Sequence, residues 1–438
     1  MSKNFVLNQC SLFPSEVNPV LDGEFGMVAG IQSFDYYESI MSPSISVQVR
    51  ILDVDGSLTA KGVYGGEKLA VKIKGVEDSE FEEKEFQLTT DKHELILNTI
   101  GDLTSGVKQQ TATLQFVSKD LIKNETARIN KRYVGNVTDS VKKILGGPDA
   151  TDADKKGINT TKSFESDQAA NNYAFIGNKH TAFDIIQRLQ PKAAGAGFDD
   201  DKKSDYGFLF FENHDGYHFK SMRALFEPEP TATYAKGEGS ESDDFKISDY
   251  NFGNGNDIVL NLKSGLYNNE TTFVELDKTK ITKVKFNMSE VADLSLKPPK
   301  LPIKLDGDET KPSRIMLRVI DTGVHQHYEE NSTTLENMQP LTDLAVYQNK
   351  SYARFALLNT QSLNITVTLN PDLRAGQTIG VSFPVAEYKT EMGDENSNDI
   401  SGKYLISHLR HEFEGGNFRT HLRLIRDLFT PETTSENA

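Results

Sequence analysis

The residues that could do chemistry here are a few histidines, one cysteine and a large stock of acids. His325-Gln326-His327 would place two imidazoles on one face of a strand, because alternate strand residues point the same way. His408, His411 and His421 can add to them if their strands pair suitably, giving a metal its nitrogen ligands. Strand histidines are also common surface or interface residues, and spacing fixes no acidic partner, so both readings stay open. Asp53-Val54-Asp55-Gly56 begins like a calcium loop but lacks the later ligands and the closing Glu; it reads as a turn. Cys10 lies in a polar segment with no histidine beside it, which is poor ground for an activated thiol. His93-Glu94 and His411-Glu412 lack the second histidine of a zinc-protease helix, and Gly253-Asn254-Gly255-Asn256 lacks the glycine spacing of a dinucleotide loop. No Walker loop or nucleophile elbow is present. No pair of carboxylates is singled out for glycoside hydrolysis, and Glu80 to Glu85 reads as a solvated run. Arg128 to Tyr133 interleaves basic and aromatic residues, but one such segment reads as a strand edge. No catalytic, cofactor-binding or metal residue is assigned.

The composition narrows the classes further. The chain has 438 residues, 48 Lys plus Arg against 64 Asp plus Glu, and a formal charge of −16. That balance argues against a duplex-binding surface, which needs clustered cations, and against docking on anionic lipid. A single cysteine excludes an intrachain disulfide framework. No run approaches the roughly 18 apolar residues of a membrane helix, and the first residues carry no apolar core of signal-peptide length. The length predicts about three domains in a soluble protein made in the cytoplasm.

Elements capable of positioning side chains follow from periodicity. Ile45, Val47, Val49 and Ile51 alternate with polar residues, as do Leu69, Val71 and Ile73, and then Ala112, Leu114 and Phe116. These predict a small antiparallel barrel or sandwich. Thr138 is expected to cap a helix carrying Val141, Ile144 and Leu145, stopped at Gly146-Gly147-Pro148. A second helix follows Asn178, with Ala182, Ile185, Ile186 and Leu189 on one face and Pro191 at its end. Ala193 to Asp205 reads as a solvated loop, Asn213-His214-Asp215-Gly216 as a hairpin turn, and Glu227 to Gly239 as a linker. Beyond it Ile315, Leu317 and Val319 alternate, then Leu363, Ile365, Val367 and Leu369, then Tyr404 to Ile406 and His421 to Ile425, with a frayed tail from Thr433.

The two β regions share a pattern. Ile45-x-Val47-x-Val49-x-Ile51 precedes Gly66 with apolar residues at +3, +5 and +7; Leu363-x-Ile365-x-Val367-x-Leu369 precedes Gly376 with the same spacing. Generic hairpins with one buried face would look alike, and so would a duplicated barrel. A duplication would matter for assembly, since three copies with two similar domains each present six nearly equivalent surfaces.

The order of segments resembles the central baseplate hub proteins of T4-like contractile-tailed phages and related injection systems. The likeness runs through Asp35-Tyr36-Tyr37-Glu38-Ser39-Ile40, Leu114 to Glu125, Tyr133-Val134-Gly135, Ala174 to Asn178, the Phe208 to Phe219 hairpin, Gly402 to His408 and Thr420 to Leu424. Residues 237–344 match least. The resemblance implies a mainly β fold: two similar antiparallel, tail-tube-like β-barrel domains with a middle α+β domain. The expected division is 1–118, 119–226 and 227–430, with a flexible tail at 431–438. It further implies a non-enzymatic homotrimer, a pseudo-hexameric ring in the virion baseplate that joins the hexameric tail tube protein to the trimeric central spike protein beside other baseplate proteins. DNA would pass through the ring without sequence-specific binding, and no stable membrane insertion or cofactor is expected. The net charge adds the expectation of a neutral or negative lumen. A peptidoglycan-binding or peptidoglycan-degrading protein of the tail tip is the alternative.

Overall fold

Strict alternation of apolar and polar residues buries one face of each strand, and the strands pair until that face is covered. The first half of the chain supplies β1 (Phe5–Phe13), β2 (Ile31–Ser39), β3 (Ser46–Asp53), β4 (Lys68–Gly75), β5 (Leu95–Ser105) and β6 (Gln110–Ser118). The computed structural model describes all residues except 1–4, 17–20, 22, 55, 77–84, 88–93, 106–108, 148–156, 196–205, 238–244, 254–256, 276–278, 288–310, 321–325, 329–334, 338–340, 359–361, 385–400 and 427–438. His93, His325, Asp55 and the tail at 431–438 therefore lie outside the described residues, as does the side chain of His327.

A middle segment follows, with α1 (Lys119–Thr126), α2 (Val137–Leu145), α3 (Ala182–Leu189) and the hairpin β7 (Phe208–Asn213) to β8 (Gly216–Ser221). Val137, Val141, Ile144, Ile186, Phe208 and Phe219 form its own core. The cap of α2 is Asn136, whose side chain accepts from the Thr138 amide at 2.9 Å, and not Thr138 as the sequence pattern suggested. Thr138 lies inside the first turn and its hydroxyl instead donates to the Asp167 carbonyl.

The last part contributes β9 (Ile247–Phe252), β10 (Asn268–Glu275), β11 (Lys280–Asn287), β12 (Arg314–Ile320), α4 (Leu341–Leu357), β13 (Ser362–Thr368), β14 (Thr378–Ser382), β15 (Gly402–Glu414) and β16 (Asn417–Ile425). The fold is mainly β, with a 14-stranded, largely antiparallel sheet among the described residues.

The repeated sequence pattern is a repeated topology. In the first half the spatial order is β2-β3-β6-β5-β4, and every pair is antiparallel. In the second it is β9-β13-β16-β15-β14, again antiparallel throughout. The strands fall in the same chain order in both. Register agrees too: Asp35 and Tyr36 oppose Gln48 and Val47, while Asp249 and Tyr250 oppose Thr366 and Ile365. The two units share one core, from Val49 and Leu114 to Ile365 and Leu424.

Two sequence expectations are corrected, and a third holds with an unexpected outcome. Ala193 and Ala194 are fully buried and not in a solvated loop; Ala194 bridges to Tyr206. The segment read as a linker carries the short strand Thr233–Ala235, parallel to β14, with Tyr234 buried. Small and turn-forming residues lower local polarity signals, so composition hid both packings. Ile315, Leu317 and Val319 alternate in β12 as expected, yet all three are exposed. The buried face of that three-stranded sheet is instead the one on α4, where Phe286 meets Ala353 and Leu357.

Gly376 precedes β14 with φ +91°, and a Cβ there would stand 2.7 Å from the ring of Phe211. Gly376→Ala should cost about 2–4 kcal/mol through left-handed strain plus overpacking. Chemical denaturation of the variant checks this, with Gly415→Ala, where a Cβ meets no neighbour, as the strain-only control.

Candidate functional site

The two repeated units meet along one strand. β15 is 13 residues long and changes partner midway. Its first residues pair with β14, ending where Ile406 exchanges backbone hydrogen bonds of 2.9 Å with Gly376 and Gln377. Ser407 sits in a bulge, its hydroxyl donating to the Arg423 carbonyl at 2.7 Å. From His408 to Glu414 the same edge pairs with β2, Ser39 back to Ser33. A bulge re-aims a strand and lets one edge serve two neighbours.

Beneath this junction lies Glu38. It belongs to the inward parity of β2, with Phe34 and Tyr36, and is fully buried. Its carboxylate accepts from the Tyr36 hydroxyl at 2.6 Å and from the His214 and Ala375 amides at 2.8 Å each. One side chain thus ties the first unit, the middle hairpin and the second unit. Burial pushes its pKa up, against the pull of Arg374 and the three hydrogen bonds. A second buried knot sits nearby. Lys162 donates to Glu212 and to Ser118, with Asp120 at 4.0 Å, and Glu212 also accepts from the Ile45 amide. Burial raises Glu212 as well, with Lys162 opposing.

The outward face of the same strands is polar. Arg410 donates to Asp35 at 2.8 Å and to Glu412 at 2.5 Å, and lies over the Tyr37 ring. His421 contacts Glu412 at 2.9 Å and Thr366 at 3.0 Å. Tyr37, Arg410, Thr366 and His421 line a shallow concavity of about 460 Å³ on the sheet. Burial alone would raise Glu412, but His421 and Arg410 hold it below the usual carboxylate range.

The three C-terminal histidines do not converge. His408 and His421 face outward, while His411, three residues from His408, points into the core. There it stacks on Tyr36, and its Nδ1 lies 2.9 Å from the Thr420 hydroxyl. Among the described residues no group of three His, Cys, Asp or Glu side chains is arranged to hold a metal. Cys10 is buried, and burial pushes its thiol up to about 12, so it is inert. Asp53 accepts from the Leu58 amide at 2.9 Å, the role of a turn residue.

No known protein-family profile matches this sequence, and no curated protein matches it. Solved structures do align over nearly the whole chain. A tail protein from Neisseria meningitidis MC58 superposes with a TM-score of 0.53 at 14% identity, covering 98% of each chain. The 43 kDa tail protein of prophage MuSo2 from Shewanella oneidensis gives 0.51 at 10% identity, over 96% of this chain and 99% of that one. This is a tail-protein fold. At such identity the comparison speaks for the backbone plan alone, and the buried knots are argued from this chain's own residues.

Glu38→Ala would strand two buried backbone amides and should cost about 3–5 kcal/mol, whereas Glu38→Gln keeps one acceptor and should cost less than half of that. Urea midpoints of both variants check the ranking. A pH test follows from His218, whose Nε2 lies 2.8 Å from Asn213 Oδ1. Burial lowers it to about 4, with Glu165 opposing. A depressed histidine contributes stability above its unfolded pKa near 6.5 and loses it as pH falls towards 4. Wild type should therefore lose on the order of 1 kcal/mol more than His218→Gln between pH 6.5 and 5, read from thermal melts.

Proposed function

We propose that this chain is a structural, non-enzymatic hub of a contractile phage tail, a ring that adapts the tail tube to the central spike. The observation that carries the reading is the pair of five-strand units with identical order and connectivity in one chain of tail-protein fold. Three such chains in a ring offer six near-equivalent positions to a sixfold tube and a threefold face to a spike. In this reading the units are 1–118 and 227–430, with 119–226 between them and a tail at 431–438. The partners are further copies of this chain, the tail tube protein, the spike protein and other baseplate proteins. The chain is made in the host cytoplasm and resides in the virion.

The polar sheet face supports the lumen side of the argument. Its Arg410 is matched locally by Asp35 and Glu412, so this cation stands paired on the face. DNA sliding past such a wall finds few unpaired cations to release its counterions. Light scattering should give a trimer, alone or with the spike partner, and particle imaging should give a ring with a central hole. A stable monomer in both conditions would sink the proposal, as would salt-sensitive duplex binding by the isolated protein.

A further inference from the structure

The small sheet of β11, β10 and β12 leaves an apolar row in water. Ile315, Leu317 and Val319 of β12 stand 69%, 69% and 64% exposed, and Ile281 of β11 stands 65% exposed. Register sets Val319, Val274 and Ile281 in one line across the three strands, with Ile315 beside Glu270 and Leu317 beside Thr272. The opposite face is taken by α4, where Leu357 meets Phe286 and the Thr271 hydroxyl donates to Asn349 at 2.5 Å. Large aliphatic side chains grouped in solvent mark an interaction surface.

β12 is also an edge, pairing with β10 alone among the described residues. Ser313, just before it, donates its amide to the Asn268 carbonyl on the β10 side at 3.2 Å. Backbone groups alternate in direction along a strand, so those of Arg314, Met316 and Arg318 point to the open side. Such an edge is a template for another strand. Arg314 and Arg318 lie on the α4 face, opposite to Ile315, Leu317 and Val319. Both lie over the Tyr352 ring; Arg314 donates to the Ser264 carbonyl at 3.0 Å and Arg318 to the Tyr352 hydroxyl at 2.8 Å. Neither has a carboxylate partner among the described residues.

We propose that β12 receives an extended segment of a different protein, in which apolar residues alternate with acidic ones. Its backbone takes up the open groups of Arg314, Met316 and Arg318. Its apolar residues lie beside Leu317 on one face, and its carboxylates reach Arg314 and Arg318 on the other, where charge-assisted hydrogen bonds are strong. A second copy is the wrong occupant. Antiparallel pairing of two β12 strands would gather four arginines on one face, and like charges across a strand pair repel. This sheet lies between β9 and β13 in the chain, outside both five-strand units, and the inference stands apart from the ring reading.

The full chain and short dye-labelled peptides test it, with fluorescence anisotropy at low salt as the readout. A peptide alternating Val with Glu should bind, and one alternating Val with Lys should bind at least ~10-fold more weakly. Arg318→Glu should erase that preference. Met316→Pro removes one backbone donor on the open side, which an edge strand tolerates, and should abolish binding while the circular dichroism spectrum stays that of wild type. Should Met316→Pro misfold, the exposed Arg318→Glu carries the test. Equal binding of the Val-Glu and Val-Lys peptides overturns the proposal, as does a Val-Glu affinity no better than that of alternating Ser-Glu or unchanged by Arg318→Glu. Self-association of the wild type that Met316→Pro removes would make a second copy the occupant and overturn it likewise.

Discussion

The pairing of β2 with the second half of β15 brings together residues 375 positions apart, as in the contact of Arg410 with Asp35. Everything else depends on that closure. Loop entropy rises slowly with length, so the final closure is affordable once each unit has formed. The contact is nonetheless distant in sequence, and such pairings form late and slowly. Within each unit β5 with β6 and β15 with β16 are near neighbours along the chain, whereas β9 and β13 are far apart. The junction then fixes how the two units sit. The bulge at Ser407 lies where the edge changes neighbour, from β14 to β2.

Buried charge gives that junction its uniqueness. A sheet edge bonds any strand through its backbone, so alternation alone would tolerate a slipped register. Glu38 does not tolerate it: a slip of one residue would turn its carboxylate to solvent and leave the His214 and Ala375 amides unpaired. The Lys162–Glu212 pair acts alike between the first unit and the middle hairpin. Burying ions is expensive, and apolar replacements often stabilise. The cost here returns as a single permitted arrangement of three segments.

Much of this was legible in the sequence. Ile45 to Ile51 and Leu363 to Leu369 announced their strands through parity, and the glycines at 66 and 376 announced the repeat. What stayed hidden was whatever parity could not express. β15 reads as apolar only up to Ile406, because its second half faces polar side chains outward and packs His411 inward. Glu38 did carry a signal, sharing the parity of Phe34 and Tyr36, but an acid on a buried parity is easily read as a strand end. Glu212 lies in a run buried on both faces, where parity says nothing. Ile315, Leu317 and Val319 show the opposite failure, since alternation marks an apolar face without saying whether anything covers it.

In the proposed ring, a junction between copies would face different demands from the one inside the chain. The one inside the chain forms once, during folding, and is never opened; it can hold a buried carboxylate and a buried imidazole that would be ruinous if exposed by halves. A junction between copies must exist open before assembly. At the places of Glu38 and His411 the counterpart strands β9 and β5 carry Phe252 and Ile100, groups that lose little when wet and gain on contact. Asp35 and Asp249, with Tyr36 and Tyr250, are kept on both sides. The conserved geometry is that of the strand pair, while the chemistry follows whether the joint must ever be apart.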